Sequence, residues 1–126
     1  MRLLLDTVTF IWSSISPELL SKKAVAAIGN EHAIREVSTI SLSEIAIKQT
    51  RGKLSFRKND PLAGLTALRA RVLPYTADHA FELFNLPTHH SDPFDRQIIA
   101  QALCENIPVV TSDEKFRLYD GLTVIW

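Results

Sequence analysis

The chain carries one cysteine, Cys104, so an internal disulfide is impossible and a reducing, cytosolic setting is expected. It also lacks net charge of either sign. Fourteen Lys plus Arg balance fourteen Asp plus Glu, which excludes a domain that holds nucleic acid by bulk basicity. A nucleic acid would have to be met by a local patch. Long apolar runs are missing as well. Leu3-Leu4-Leu5 is stopped by Asp6, too early for a secretion signal or a membrane span, so a soluble cytoplasmic protein with no membrane partner is expected. No repeat, low-complexity segment or Gly/Ser-rich linker divides the chain. With 46% hydrophobic residues among 126, it reads as one domain, residues 1–126, with enough apolar side chain for a core.

Short apolar runs of strand length occur at Leu3 to Leu5, Val37 to Ile40, Val72 to Leu73, Pro108 to Thr111 and Leu122 to Trp126. Segments with helical signals lie between them. Ser16-Pro17-Glu18 reads as an N-cap with proline at the first helical position, and that segment runs to Gly29. Ser41 to Arg51 ends at Gly52, Pro61 to Arg69 carries a weaker pattern, and Thr76 caps a segment that stops before Pro87. Asp92-Pro93 opens a helix with Ile98, Ile99, Ala102 and Leu103 at helical spacing. This alternation predicts an α/β domain whose mostly parallel sheet is covered on both faces. In such sheets ligands bind beyond the carboxyl ends of the strands, so the first polar residues after each strand are the ones to inspect.

Four carboxylates stand at those places: Asp6 after the first strand, Glu44 in the helix after Ile40, Asp95 in the first turn after Pro93, and Asp113 after Val110-Thr111-Ser112. Each has an ordinary structural explanation. Asp6 and Asp113 suit N-caps, Ser41-Leu42-Ser43-Glu44 matches a capping box, and Asp95 sits well in a helix dipole. Collected at one sheet edge, however, the four would repel unless a cation sat among them. Oxygen ligands without a competing Cys/His set suit Mg²⁺ or Mn²⁺, which can acidify water and neutralise charge in phosphoryl transfer.

The same residues resemble the PIN-domain family across nearly the whole chain, and within it the VapC-type toxins of type II toxin-antitoxin pairs. The match runs through Leu3-Leu4-Leu5-Asp6-Thr7, then Ser41-Leu42-Ser43-Glu44-Ile45-Ala46-Ile47-Lys48 with Gly52-Lys53-Leu54. It continues through His89-His90-Ser91-Asp92-Pro93-Phe94-Asp95-Arg96 and Ile99-Ala100-Gln101-Ala102 to Val110-Thr111-Ser112-Asp113 and Phe116. The resemblance implies a PIN-like three-layer fold and Mg²⁺- or Mn²⁺-dependent endoribonuclease chemistry. Asp6, Glu44, Asp95 and Asp113 would be the catalytic, metal-binding quartet. It also implies an RNA substrate, a cognate antitoxin and a homodimer. One departure is visible: members with this opening commonly carry His two residues after the first Asp, where this chain has Val8, which donates no hydrogen bond. A PIN fold that binds antitoxin or RNA without efficient cleavage is the alternative. A haloacid-dehalogenase-like phosphatase would need its second Asp at the position of Val8.

Around the quartet, Arg96, Lys48, Thr111 and Ser112 are the candidate substrate contacts, Arg96 as a phosphate ligand. Lys48 also stands at ion-pair spacing from Glu44. Asp92 reads as an N-cap. Adjacent His89 and His90 diverge and have no partner cysteine, so a zinc site is not expected. Lys48, Arg51, Lys53, Arg57 and Lys58, with Phe56 among them, form the densest basic stretch, a possible path for single-stranded RNA. Ile11, Trp12, Ile15 and Leu19, with Leu20, form an apolar cluster. Most of it is expected to be core, and the remainder a groove for an antitoxin helix, as the resemblance implies.

Overall fold

The computed structural model describes residues 1–54 and 59–126, with Asn59 described for its backbone only. Phe56, Arg57 and Lys58 of the basic stretch therefore lie outside the described residues.

Five parallel strands form one sheet in the order β3-β2-β1-β4-β5: β1 Arg2–Leu5, β2 Ile34–Ser38, β3 Arg71–Leu73, β4 Val109–Val110 and β5 Val124–Ile125. Among the described residues six α-helices accompany them: α1 Thr7–Ile15, α2 Lys22–Gly29, α3 Thr39–Thr50, α4 Asn59–Leu68, α5 Ala77–Glu82 and α6 Pro93–Glu105. Successive strand residues face opposite sides, so a sheet buried on both sides needs continuous apolar strands. Leu3, Leu4 and Leu5 are all fully buried for that reason. Leu4 and Val109 pack on one face with Ile98, Ile99 and Ala102 of α6 and with Phe116. Leu3, Leu5 and Val110 pack on the other with Phe10 of α1, Ala24 and Ile28 of α2, and Ile45 of α3. The α/β, three-layer architecture read from the sequence is therefore present.

Several boundaries differ from the sequence reading. The second strand is Ile34–Ser38, beginning earlier and ending sooner than Val37 to Ile40. Its start was hidden because Glu36 interrupts the apolar pattern. Glu36 is nonetheless buried, neutralised by Arg2 from β1 (2.7 Å) and Arg71 from β3 (3.3 Å). Consequently α3 begins at Thr39 and is capped by Ser38, whose hydroxyl accepts from the Ile40 amide. Ser41 lies inside the helix, so the capping box ending at Glu44 does not form. Its hydroxyl instead accepts from Thr7 Oγ1 at 2.8 Å. Ser16-Pro17 opens only a single 3₁₀ turn, Pro17–Leu19, and Ser21 caps α2. Gly52 ends α3 as expected: its φ of 68° is left-handed, and the Lys53 amide reaches back to the Lys48 carbonyl.

Candidate metal centre

The chain enters the sheet at β1, winds outward through β2 and β3, then returns to the other side of β1 for β4 and β5. Connections leaving β1 and β4 thus diverge, and a crevice opens at the carboxyl ends of these two strands. Asp6 follows β1 directly, and Asp113 follows β4. The N-terminus of α6 brings Asp95 to this edge, where its Oδ2 and that of Asp113 lie 3.1 and 2.7 Å from one histidine nitrogen, His90 Nε2, and Glu44 of α3 adds its charge to those acting on Asp95.

Asp6 is buried. Its Oδ1 caps α1 by accepting from the Thr9 amide at 2.9 Å, and its Oδ2 accepts from Thr111 Oγ1 at 2.6 Å. Burial nevertheless raises its carboxyl above the ordinary range, the two hydrogen bonds opposing that push. Thr111 also accepts from the Asp113 amide at 3.0 Å, so a single buried hydroxyl couples the first and last acids. Asp113 Oδ1 caps a 3₁₀ turn, Glu114–Leu118, through the Lys115 amide. Glu44 is buried and paired through Oε2 with Lys48, whose ammonium is held more strongly protonated by that bond. Oε1 of Glu44 has no hydrogen-bond partner.

Asp92 is the N-cap of α6, accepting from the Phe94 and Asp95 amides. Asp95 itself lies in the first turn. Burial, joined by the charges of Asp92, Asp6, Glu44 and Asp113, pushes its carboxyl up to about 8. This reverses the lowering that a helix N-terminus alone would produce. The structure also adds a member that the sequence reading had set aside. His90 is buried, and its Nε2 lies 2.7 Å from Asp113 Oδ2 and 3.1 Å from Asp95 Oδ2. Its signal in the sequence was its place two residues before the Asp92 cap, but where the ring goes depends on how residues 86–91 turn.

Two candidate substrate contacts are otherwise engaged. Arg96 donates to the carbonyls of Pro87, His90 and Leu86, so its guanidinium holds the loop before α6. Thr111 is buried between Asp6 and Asp113. Ser112 is half-buried beside them, and Lys48 is partly exposed next to Glu44. A cavity of about 260 Å³ opens beside the acids, lined by Val8, Ile11, Trp12, Glu44, Lys48 and Lys53. Val8 is exposed there, while Trp12 packs its ring 6.0 Å from Trp126. Ile11 and Trp12 are half-buried, and Ile15 and Leu19 are exposed.

The donor set fits a divalent cation. A buried carboxylate oxygen without a partner and several mutually repelling acids are what a hard cation would satisfy.

Solved structures share this architecture. The VapBC2 structure from Rickettsia felis, bound to a promoter DNA fragment, superposes with a TM-score of 0.74 at 19% identity, covering 98% of this chain and 97% of that one. DNA-bound VapBC from Salmonella typhimurium gives 0.70 at 19% identity over 98% and 96% of the two chains. VapBC-5 from Mycobacterium tuberculosis gives 0.67 at 20% over 98% and 97%. No curated protein matches the chain. The model of the PIN domain, a family in general composed of nucleases, matches residues 3–122, and the chain therefore belongs to the PIN-domain family.

Proposed function

We propose that this protein is a Mg²⁺- or Mn²⁺-dependent endoribonuclease and the toxin of a toxin-antitoxin pair. The observation that carries the reading is the run of contacts joining acids from separate elements at the switch-point edge of the sheet: Thr111 bonds both Asp6 and Asp113, and Asp113 and Asp95 meet at His90 Nε2, with Glu44 adding its charge. Such a gathering is costly without a cation and useful with one.

Asp6, Glu44, Asp95 and Asp113 would hold the ion. When bound, a divalent cation supplies Lewis acidity, which acidifies water and offsets charge developing on a phosphodiester. The protein's own contribution is placement. Thr111 and Thr9 aim the Asp6 oxygens, the Lys115 amide aims Asp113, and Lys48 sets Glu44 while offering a positive charge toward a phosphate. Ser112, adjacent to Asp113 and half-buried, would contact the substrate. RNA is the substrate of this reading because the resemblance to VapC-type toxins implies it, and unpaired segments would present accessible phosphates to the site.

The toxin assignment draws on the VapBC structures that share the fold and on the apolar strip of Ile11, Trp12, Ile15 and Leu19, part of which is exposed. An amphipathic antitoxin helix would cover that strip. A homodimer acting in the cytoplasm completes the proposal, and no helix among the described residues is long and apolar enough to cross a membrane.

The test is cleavage of a mixed-sequence RNA by the protein with Mg²⁺, with Mn²⁺ and with EDTA, alongside Asp95→Asn. Cutting that requires the cation and is absent in the variant is expected. Cutting in EDTA, or full activity of the variant, overturns the metal site; binding of RNA without cutting favours the non-cleaving module.

A further inference from the structure

The geometry points to His90 as the positioning residue of the acid cluster: we propose that its Nε2–H, in a tautomer set by the fold, ties Asp95 to Asp113 and remains outside the metal's own ligands. The proposal rests on the metal-site reading above.

The tautomer follows from the hydrogen bonds. The Asp92 amide donates to His90 Nδ1 at 3.2 Å, so Nδ1 carries no hydrogen. A neutral imidazole has one N–H, which must then be on Nε2. That hydrogen points to Asp113 Oδ2 at 2.7 Å, and Asp95 Oδ2 lies 3.1 Å from the same nitrogen, in contact with it. A histidine ligating through Nε2 would need that lone pair free, leaving both ring nitrogens bare and the ring an imidazolate. The Asp92 amide therefore selects donation over ligation.

The ring is held from several directions. Its backbone amide donates to Tyr119 Oη at 2.8 Å, and that hydroxyl donates onward to the Pro87 carbonyl at 2.9 Å. Arg96 clamps the His90 and Pro87 carbonyls, and the ring meets Phe116 edge-on at 5.8 Å. A fixed donor thus bonds the acid of the loop after β4 while touching the acid of α6. It sets their separation before any cation arrives. Val8 offers no side-chain donor, whereas His90 supplies one from the loop before α6.

Two measurements use the parent protein. Imidazole ¹⁵N NMR should show His90 as the Nε2–H tautomer without and with Mg²⁺, and Mn²⁺ electron spin-echo spectra should show no directly bound nitrogen. His90→Ala should weaken Mn²⁺ binding by about 10- to 100-fold. His90→Gln, whose amide nitrogen reaches the position of Nε2, should recover most of the affinity; a purely structural role would give no such rescue. Loss of the Nε2 hydrogen on adding Mg²⁺, or a directly coupled nitrogen, overturns the proposal. Should His90→Ala fail to fold, the parental spectra and His90→Gln decide the matter. Normal Mn²⁺ binding by the parent with unaffected variants overturns this proposal alone. Absence of parental binding overturns the metal reading and this proposal with it.

Discussion

Thr111 Oγ1 donates to Asp6 Oδ2 at 2.6 Å, joining two residues 105 positions apart at the carboxyl ends of adjacent strands. Both groups are buried, so neither has water to replace the other. Thr111→Val keeps the shape, removes the donor and strands a carboxylate oxygen, at a cost of about 1–3 kcal/mol. Asp6, already raised by burial, rises further because the bond that lowers it is gone. Urea denaturation should show the loss of stability, and Mn²⁺ titration a weaker site. Thr111→Ser should retain most of both, and equal behaviour of Val and Ser would show that the hydroxyl is idle.

Asp95→Asn should give effects of opposite sign. Asn keeps the shape but removes a carboxyl whose ionisation is opposed by burial and by four neighbouring acids, so the melting temperature without metal should hold or rise. Mn²⁺ binding, RNA cleavage and growth inhibition should be lost. If Asp95 were only a dipole partner, the substitution would cost a few tenths to about 1 kcal/mol and spare activity.

The pH dependence of the metal-free protein follows from the same residue. Asp95 is raised to about 8 in the folded state, against about 3.9 when unfolded. Between these values the folded protein binds more protons, so stability should fall as pH rises from about 4 to about 8 and then level off. A raised Asp6 adds to the same slope. Thermal melts in EDTA across that range should show the decline, and Asp95→Asn should flatten it. A divalent cation favours the ionised form, so Mn²⁺ affinity should climb with pH over the same window. A stability profile rising from pH 5 to 8, unaltered by Asp95→Asn, would contradict the assignment.

Far from this chemistry, Glu36 is buried between Arg2 and Arg71, and Arg2 also bonds Glu105, which His79 holds from the other side. Glu36→Gln leaves the arginines without their central partner and should cost about 3 kcal/mol. Arg2 is partly exposed, so rehydration limits the loss. Chemical denaturation measures it. Cleavage per folded molecule should not change, which separates a structural acid from a catalytic one.

The strip running from Ile11 to Leu19 carries the partner prediction. Trp12→Ala removes a ring that packs on Trp126 and lines the cavity beside Glu44. Capture of the neighbouring-gene antitoxin should weaken by about tenfold or more, as for an aromatic anchor. Unchanged capture by the folded variant would place the interface elsewhere.

What the sequence determined by itself was whatever depends on neighbours within about one helical turn. The alternation of strands and helices, the continuous burial of Leu3-Leu4-Leu5, the Asp92-Pro93 start of α6, the Gly52 stop and the location of acids just beyond strands all follow from local periodicity and end chemistry. The tertiary structure decided the rest. Glu36 disguised the start of β2 because only strand pairing brings Arg2 and Arg71 to neutralise it, and the displaced end of that strand moved the cap of α3 from Ser41 to Ser38. That Arg96 braces the loop before α6 through three of its carbonyls came only with the folded loop. His90, read with His89 only as no zinc site, gained its place when that loop and the segment after β4 brought its Nε2 to Asp95 and Asp113. Each of these depends on groups far apart in the chain whose meeting is set by sheet order. Burial then amplifies their charges and hydrogen bonds, which no local pattern of residues encodes.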